Sequence, residues 1–342
     1  MVDETRPGNT LAPSAQDGRP LPRRIAITGS AGFLGQAALR RLAALPSTEL
    51  IAAIDLLPSV HGNGTQRVVS VMRDVREPLG DVLTGYGIEA VIHLAYLLKS
   101  SRDGAFASQV NVGATESLLK ACAAAGVRQV IYLSSTTTYG AHKGFVRPFD
   151  ETTPVNPVKG FQYSEQKVAA EKLLFRFSEE NPGCAVSVLR GCVVMAAGAD
   201  NFIAQALGRR LLPAPLGFNP EMQFLHVDDY VSAVEAALAR RARGIYNIAG
   251  DGTVRWRDVA KASGARLLPL PGPLLTGAVN MAWRARLQSQ SPACGLDFIK
   301  HPWLASTDKA KAELGWRPLY SSRQALQSWV DGRKVNAPRS FC

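Results

Sequence analysis

Acidic residues are in short supply: the 342-residue chain holds 28 Asp and Glu against 39 Lys and Arg, a formal net charge of +11. Such a surplus suits nucleic acid or an anionic ligand. The basic residues are scattered, however, with short pairs such as Arg209-Arg210 and no extended run. A generally basic surface or an anionic small ligand is therefore expected, and no nucleic-acid partner. Cysteine is scarce as well: Cys122, Cys184, Cys192, Cys294 and Cys342 form no CxxC and are odd in number. That pattern points to reduced thiols in a cytoplasmic protein. The five histidines are isolated from one another, so no metal site is expected. Long apolar runs are missing too. The best, "LLPLPGPLLTGAVNMAW" from Leu267, is broken by Pro269, Pro271, Gly272 and Pro273 and falls short of the roughly 18 apolar residues of a span. No membrane partner is expected. Residues 1–22 are rich in Pro, Gly, Ser and charge, lack the apolar centre of a secretory signal, and read as a disordered tail.

What is present is a rhythm. With 46% hydrophobic residues the chain can bury a full core and a smaller second one. "RIAIT" is a short apolar strand, a Gly-rich turn follows, and "FLGQAALRRLAAL" repeats its apolar residues at helical spacing. Strands follow at "LIAAID", "VVSVM", "AVIHLA", "QVIYLS" and "AVSVLR", with helices from Val112 to Ala125 and from Gln162 to Phe177. Alternation of this kind predicts an α/β fold, a doubly wound parallel sheet of Rossmann type with ligands at the carboxyl ends of the strands. A dinucleotide-binding domain over 23–190 and a smaller substrate-binding domain over 191–335, with segments returning to the core, are expected. Asn201 to Arg243 reads as mainly helical, "GIYNIAG" as a returning strand, and Leu267 to Pro302 as rich in Pro and turns.

Several short stretches carry chemistry. In "TGSAGFLG", Gly29 permits a tight turn, Gly32 lets the backbone approach a pyrophosphate, and Gly35 allows helix to pack closely on strand. The amides around Phe33 and Leu34, at the start of the helix, attract the anion. Asp55 stands at the end of the next strand, where a carboxylate accepts both ribose hydroxyls and repels a 2′-phosphate; NAD is favoured over NADP. Asp74, followed by Val75 in "RDV", suits the adenine amino group. Tyr163 and Lys167 in "YSEQK" lie four apart, on one helix face. An ammonium there lowers the pKa of the phenol from its ordinary value of about 10, and the pair then shuttles a proton. Between these motifs lies "LSSTTTYG", a strand end whose hydroxyls include Ser134, Ser135 and Thr136.

This ordered set, with "VIHLAY", "NVGATESLLKAC", "FLHVDDYVSAV", "YNIAGDG" and "AELGWRPLYSSRQAL", resembles the extended short-chain dehydrogenase/reductases of the NAD-dependent epimerase/dehydratase family, from Arg24 to about Trp329. The resemblance implies an enzyme, often a homodimer through core helices. It implies Ser135 as the catalytic hydroxyl, Tyr163 as acid/base, and Lys167 as its tuner and a holder of the nicotinamide ribose. Leu94 and Ala95 would pass the cofactor beside His93, for which a structural role is expected. Asn111 would open the helix that buttresses the site, and Ser134 would sit on the cofactor side.

Departures from the family pattern restrict the reaction. Dehydratases place an acidic pair after the catalytic hydroxyl, where this chain has Thr136 and Thr137, and no Cys or other acid for enolisation is present. Simple hydride transfer at a secondary alcohol is left, with or without rotation and return of the hydride. The substrate expected first is an anionic nucleotide sugar, held by Thr136, Asn201 and Phe202, although Met222 and Gln223 stand where an Arg often grips the diphosphate. Arg209 and Arg210 are alternative anion clamps. A sterol- or polyketide-like alcohol or ketone is the competing substrate and predicts an apolar lining from Met195, Phe202, Phe218 and the Leu267 segment. A dinucleotide-sensing regulator without turnover is the third reading, and the intact relay residues argue against it.

Overall fold

The computed structural model describes residues 21–59, 67–97, 104–287 and 292–336. Most of the expected disordered tail, residues 1–20, and Cys342 lie outside the described residues. Strands β1 (Arg24–Thr28), β2 (Leu50–Asp55), β3 (Val68–Met72), β4 (Ala90–His93), β5 (Gln129–Ser135), β6 (Ala185–Gly191) and β7 (Gly244–Ile248) form a seven-stranded sheet in the order β7-β6-β5-β4-β1-β2-β3. Every pairing in it is parallel.

The strands read as unbroken apolar runs because both faces of the sheet are covered. Alternate side chains sort to opposite sides: Ile25, Ile27, Ile51, Ala53 and Ile92 join one core cluster, and Ala26, Ala52, Ile54 and Val91 the other. Helices α1 (Phe33–Ala43) and α4 (Val227–Arg240) cover the first side through Leu39, Leu42, Val234 and Leu238. Helices α2 (Ala114–Ala124) and α3 (Gln162–Glu180) cover the second through Leu118, Cys122, Leu174 and Phe177. The chain reverses direction across the sheet at the β1–β4 junction, which opens a crevice at the carboxyl ends of those strands.

A third apolar cluster, with Phe161, Phe224, Trp256, Phe298, Trp303 and Trp329, packs beyond this end of the sheet. Here the structure departs from the sequence reading. Inside the stretch expected to be mainly helical, Leu211–Pro215 is a strand, paired in parallel with Arg266–Leu270. Pro213 and Pro215 explain this, because proline breaks a helix interior and biases the residue before it to extended backbone. Within the stretch expected to be turns, Gly272–Arg284 is a helix of 13 residues. Its Pro273 lies in the first turn, where a missing N–H costs nothing. Before α2 the chain makes a π-helical turn, Gln109–Gly113, rather than starting a regular helix at Val112.

Candidate active site

The turn after β1 is shaped by its glycines. Gly29 has φ +72°, and a Cβ there would stand 2.6 Å from the Ala95 nitrogen, so the turn packs directly on the backbone leaving β4. Gly35 packs on the turn itself, since a Cβ would collide with the Gly29 carbonyl oxygen. Gly32 caps α1 without a side-chain acceptor, leaving first-turn amides to an anion. Asp55 braces the same turn: Ala31 N–H donates to its Oδ2 at 3.0 Å and Leu57 N–H to its Oδ1 at 3.2 Å. Asp74 is paired with Arg76, whose Nη2 donates to Oδ2 at 2.6 Å, and this guanidinium holds the carboxyl below its usual range.

From this turn a cleft of about 680 Å³ runs to the end of β5. Gly29, Gly32, Phe33, Leu34, Gly35, Asp55, Asp74, Val75, Leu94, Ala95 and Ser134 line it, as do Ser135, Tyr163, Lys167, Asn201 and Phe202. Two expected contacts do not. Asn111 lies behind the wall, where its amide accepts from Leu97 N–H at 2.7 Å and donates to Gln166 Oε1 at 2.8 Å. Its role is to fix α3 against the loop after β4. Thr136 is fully buried with an unpartnered hydroxyl, because the 3₁₀ turn Thr136–Tyr139 starts at once after β5 and turns it inward. Thr137 reaches the cleft instead and donates from Oγ1 to Ser135 Oγ at 3.0 Å.

The relay candidates converge from β5 and α3. Lys167 is buried, and its Nζ donates to the Leu133 carbonyl at 2.6 Å while lying 3.9 Å from the centre of the Tyr96 ring and 4.6 Å from that of Tyr132. Burial pulls its pKa down to about 7, and the Glu171 carboxylate pulls the other way. Burial pushes the Tyr163 phenol up, outweighing the nearby Ser135 side chain, which acts the other way. The expected net lowering of the phenol is therefore not what the protein's own groups produce. The reason is burial, which disfavours the phenolate, while Lys167 Nζ stands 6.0 Å from the Tyr163 ring centre. Tyr96 donates from its hydroxyl to the Tyr163 carbonyl at 3.1 Å and meets the Tyr163 ring edge-on at 5.3 Å. His93 is satisfied by Thr28 Oγ1 at 2.7 Å and Thr115 Oγ1 at 3.0 Å, and burial lowers its pKa to about 3, so it stays neutral as a structural residue.

Sequence reasoning missed what lies beneath the relay. Glu171 follows Lys167 by four residues, buried, and accepts from Ser134 Oγ at 2.5 Å and from Arg190 Nη2 at 2.6 Å. Ser134 thus spends its hydroxyl on α3. The signal was available: an arginine inside the apolar strand "AVSVLRG" demands a buried acidic partner.

The far end of the cleft is walled by apolar groups, among them Cys192, Val193, Val194 and Ala199. Asn201 lines it, yet its amide is spent on capping: Oδ1 accepts from Ile203 and Ala204 N–H, each at 3.1 Å, and Nδ2 donates to the Val194 carbonyl at 2.6 Å. Gln223 is turned to the Ala305 backbone. Arg209 and Arg210 are exposed and outside the cleft lining, whereas Arg73 and Arg76 line the end near Asp55 and Asp74. Of the apolar lining expected for a sterol-like substrate, Phe202 alone is in place. Met195 is buried in the core, and Phe218 and Leu267 line a separate groove of about 480 Å³.

The profile of the NAD dependent epimerase/dehydratase family matches residues 25–249. The uncharacterized protein Rv0501 of Mycobacterium tuberculosis is 24% identical over 318 residues, covering 91% of this chain and 84% of that protein. The UDP-glucose 4-epimerase of Halalkalibacterium halodurans is 26% identical over 336 residues, with 88% and 92% covered. Among solved structures, MoeE5 in complex with UDP-glucuronic acid and NAD superposes with a TM-score of 0.72 at 22% identity, covering 92% of this chain and 99% of that one.

Proposed function

The chain belongs to the NAD dependent epimerase/dehydratase family, and from that premise we propose that it transfers a hydride at a secondary alcohol of a nucleotide sugar, with Ser135, Tyr163 and Lys167 as its proton relay. One observation carries this reading: Ser135, Tyr163 and Lys167 line the same cleft as the glycine turn and Asp55. The glycine turn, which leaves no room for a Cβ at Gly29 or Gly35, fits a pyrophosphate, and Asp55 fits the adenosine ribose. Bound NAD supplies the hydride acceptor.

The protein's own groups then do the following. Tyr163, as its phenolate, takes the proton of the reacting hydroxyl as the hydride leaves, Ser135 Oγ hydrogen-bonds the same substrate oxygen, and the Lys167 ammonium favours the phenolate, the proton then passing from Tyr163 to solvent. Neutral Thr136 and Thr137 provide no acid for a leaving hydroxyl, so the reaction is oxidation or epimerisation without loss of water. Similar proteins include UDP-glucose 4-epimerases and a dTDP-glucose 4,6-dehydratase, which supports a nucleotide sugar. The third apolar cluster, beyond the cleft, is the substrate-binding part, and the enzyme works in the cytoplasm as a homodimer through core helices.

The apolar far wall and the spent amide of Asn201 favour the second reading, a less polar alcohol or ketone. A screen separates the two. UDP-, GDP- and dTDP-sugars and a panel of apolar secondary alcohols are incubated with enzyme and NAD, with NADH absorbance and product identity followed. Turnover of a nucleotide sugar supports the first reading; turnover confined to apolar alcohols replaces it with the second.

A further inference from the structure

We infer that the helix Gly272–Arg284 docks the protein onto an anionic membrane surface. The helix has 13 residues, of which Leu275 alone is buried. Leu274, Ala278, Met281 and Ala285, at i, i+4, i+7 and i+11, form one exposed and wholly apolar stripe, in which Leu274 is 60% and Met281 68% exposed. Leu287, past the helix end, is exposed too, at 81%. A long exposed stripe of this kind on a surface helix marks an interaction face.

The surrounding charge selects the occupant. Two stretches beside this helix, 201–220 and 259–296, hold no Asp or Glu between the bordering Asp200, Glu221, Asp258 and Asp297, and their Lys and Arg are Arg209, Arg210, Lys261, Arg266, Arg284 and Arg286. All six are exposed, and none lines the cleft, so this charge is not spent on the substrate. The Arg266 N–H donates to the Arg210 carbonyl at 2.8 Å, which places those two segments side by side. A second copy of the chain would bring two such basic faces together and is disfavoured by repulsion. Phospholipid offers both complements at once, an apolar layer for the stripe and anionic headgroups for the arginines. This is adsorption rather than spanning: among the described residues no helix is long and apolar enough to cross a membrane. The docking face is also linked to the cleft. The helix packs on the segment Ala293–Ile299, and Phe298 of that segment meets the Phe161 ring at a tilt, 4.9 Å between centres, two residues before Tyr163.

Flotation of the full chain with vesicles tests the inference. Pure phosphatidylcholine is compared with an equimolar mixture containing phosphatidylglycerol, using wild type, Leu274→Glu/Met281→Glu, Arg284→Glu/Arg286→Glu and, as a control outside these stretches, Val146→Glu. Wild type and the control should float with the anionic vesicles and much less with the neutral ones, and each double variant should bind at least about tenfold more weakly. Circular dichroism identical to wild type excludes unfolding. Wild type that stays unbound, or double variants that float as well as wild type, would overturn the inference. So would light scattering that shows a dimer split by Leu274→Glu/Met281→Glu, which assigns the face to a second copy.

Discussion

Arg190 and Glu171 form a bidentate ion pair beneath the relay: Nε donates to Oε1 at 3.0 Å and Nη2 to Oε2 at 2.6 Å, with the residues 2% and 1% exposed. Because Ser134 also donates to Glu171, this carboxylate ties the end of β5 to α3, and so holds Ser135 opposite Tyr163. The remaining Arg190 nitrogen, Nη1, has no partner, while the guanidinium carbon lies 4.7 Å from the Tyr139 ring centre.

Removing one partner leaves the other as an uncompensated buried charge. Glu171→Gln should therefore cost about 3–5 kcal/mol of stability, and the double variant Glu171→Met/Arg190→Met should recover most of it. Urea denaturation of the three proteins measures this. A single variant as stable as wild type would show that the pair does not hold the fold.

Lys167 gives the protein a defined pH dependence. Its folded pKa of about 7 lies below its ordinary value, so above pH 7 the folded state releases a proton that the unfolded chain keeps. The unfolded state then binds more protons, and stability rises with pH from 7 towards the unfolded pKa, by up to about 1.4 kcal/mol per pH unit. Denaturation at pH 7, 8 and 9 should show wild type gaining on Lys167→Met as pH rises. A constant difference between the two would contradict the burial of a shifted lysine.

Asp55 should set the cofactor preference. A 2′-phosphate beside its carboxylate costs at least about tenfold in affinity by like-charge repulsion. Isothermal titration should find NAD bound more tightly than NADP, and Asp55→Ser should narrow the gap, helped by the nearby Arg73 and Arg76. Tighter binding of NADP by wild type would remove this role.

Gly35 has no room for a side chain against the Gly29 carbonyl. Gly35→Ala should force the phosphate turn and α1 apart, costing about 1–3 kcal/mol of stability and weakening NAD. Thermal unfolding with and without NAD reads both effects, and an unchanged NAD affinity would detach the turn from the pyrophosphate.

The strands were legible because burial on both faces writes them as short apolar runs, and the four-residue spacing of Tyr163 and Lys167 placed both on one helix face. The turn was legible from its glycines. Long-range satisfaction was not. Thr136 points inward because a 3₁₀ turn follows β5, and Asn111 spends its amide on Leu97 and Gln166, facts that depend on partners far along the chain. The second lobe was misread where prolines serve a strand and a helix start, at Pro213, Pro215 and Pro273, rather than turns. The ammonium's effect on Tyr163 was misjudged because burial opposes it, and burial is a property of the folded chain.

The central claim is that Tyr163 moves the proton at the reacting alcohol. Tyr163→Phe keeps the ring that packs against Tyr96 and removes only the hydroxyl. The measurement is kcat on the substrate found by the screen, alongside the Kd for NAD by titration. The account predicts a loss of roughly 10²–10⁴-fold in kcat with NAD affinity nearly unchanged. Turnover at the wild-type rate would contradict it.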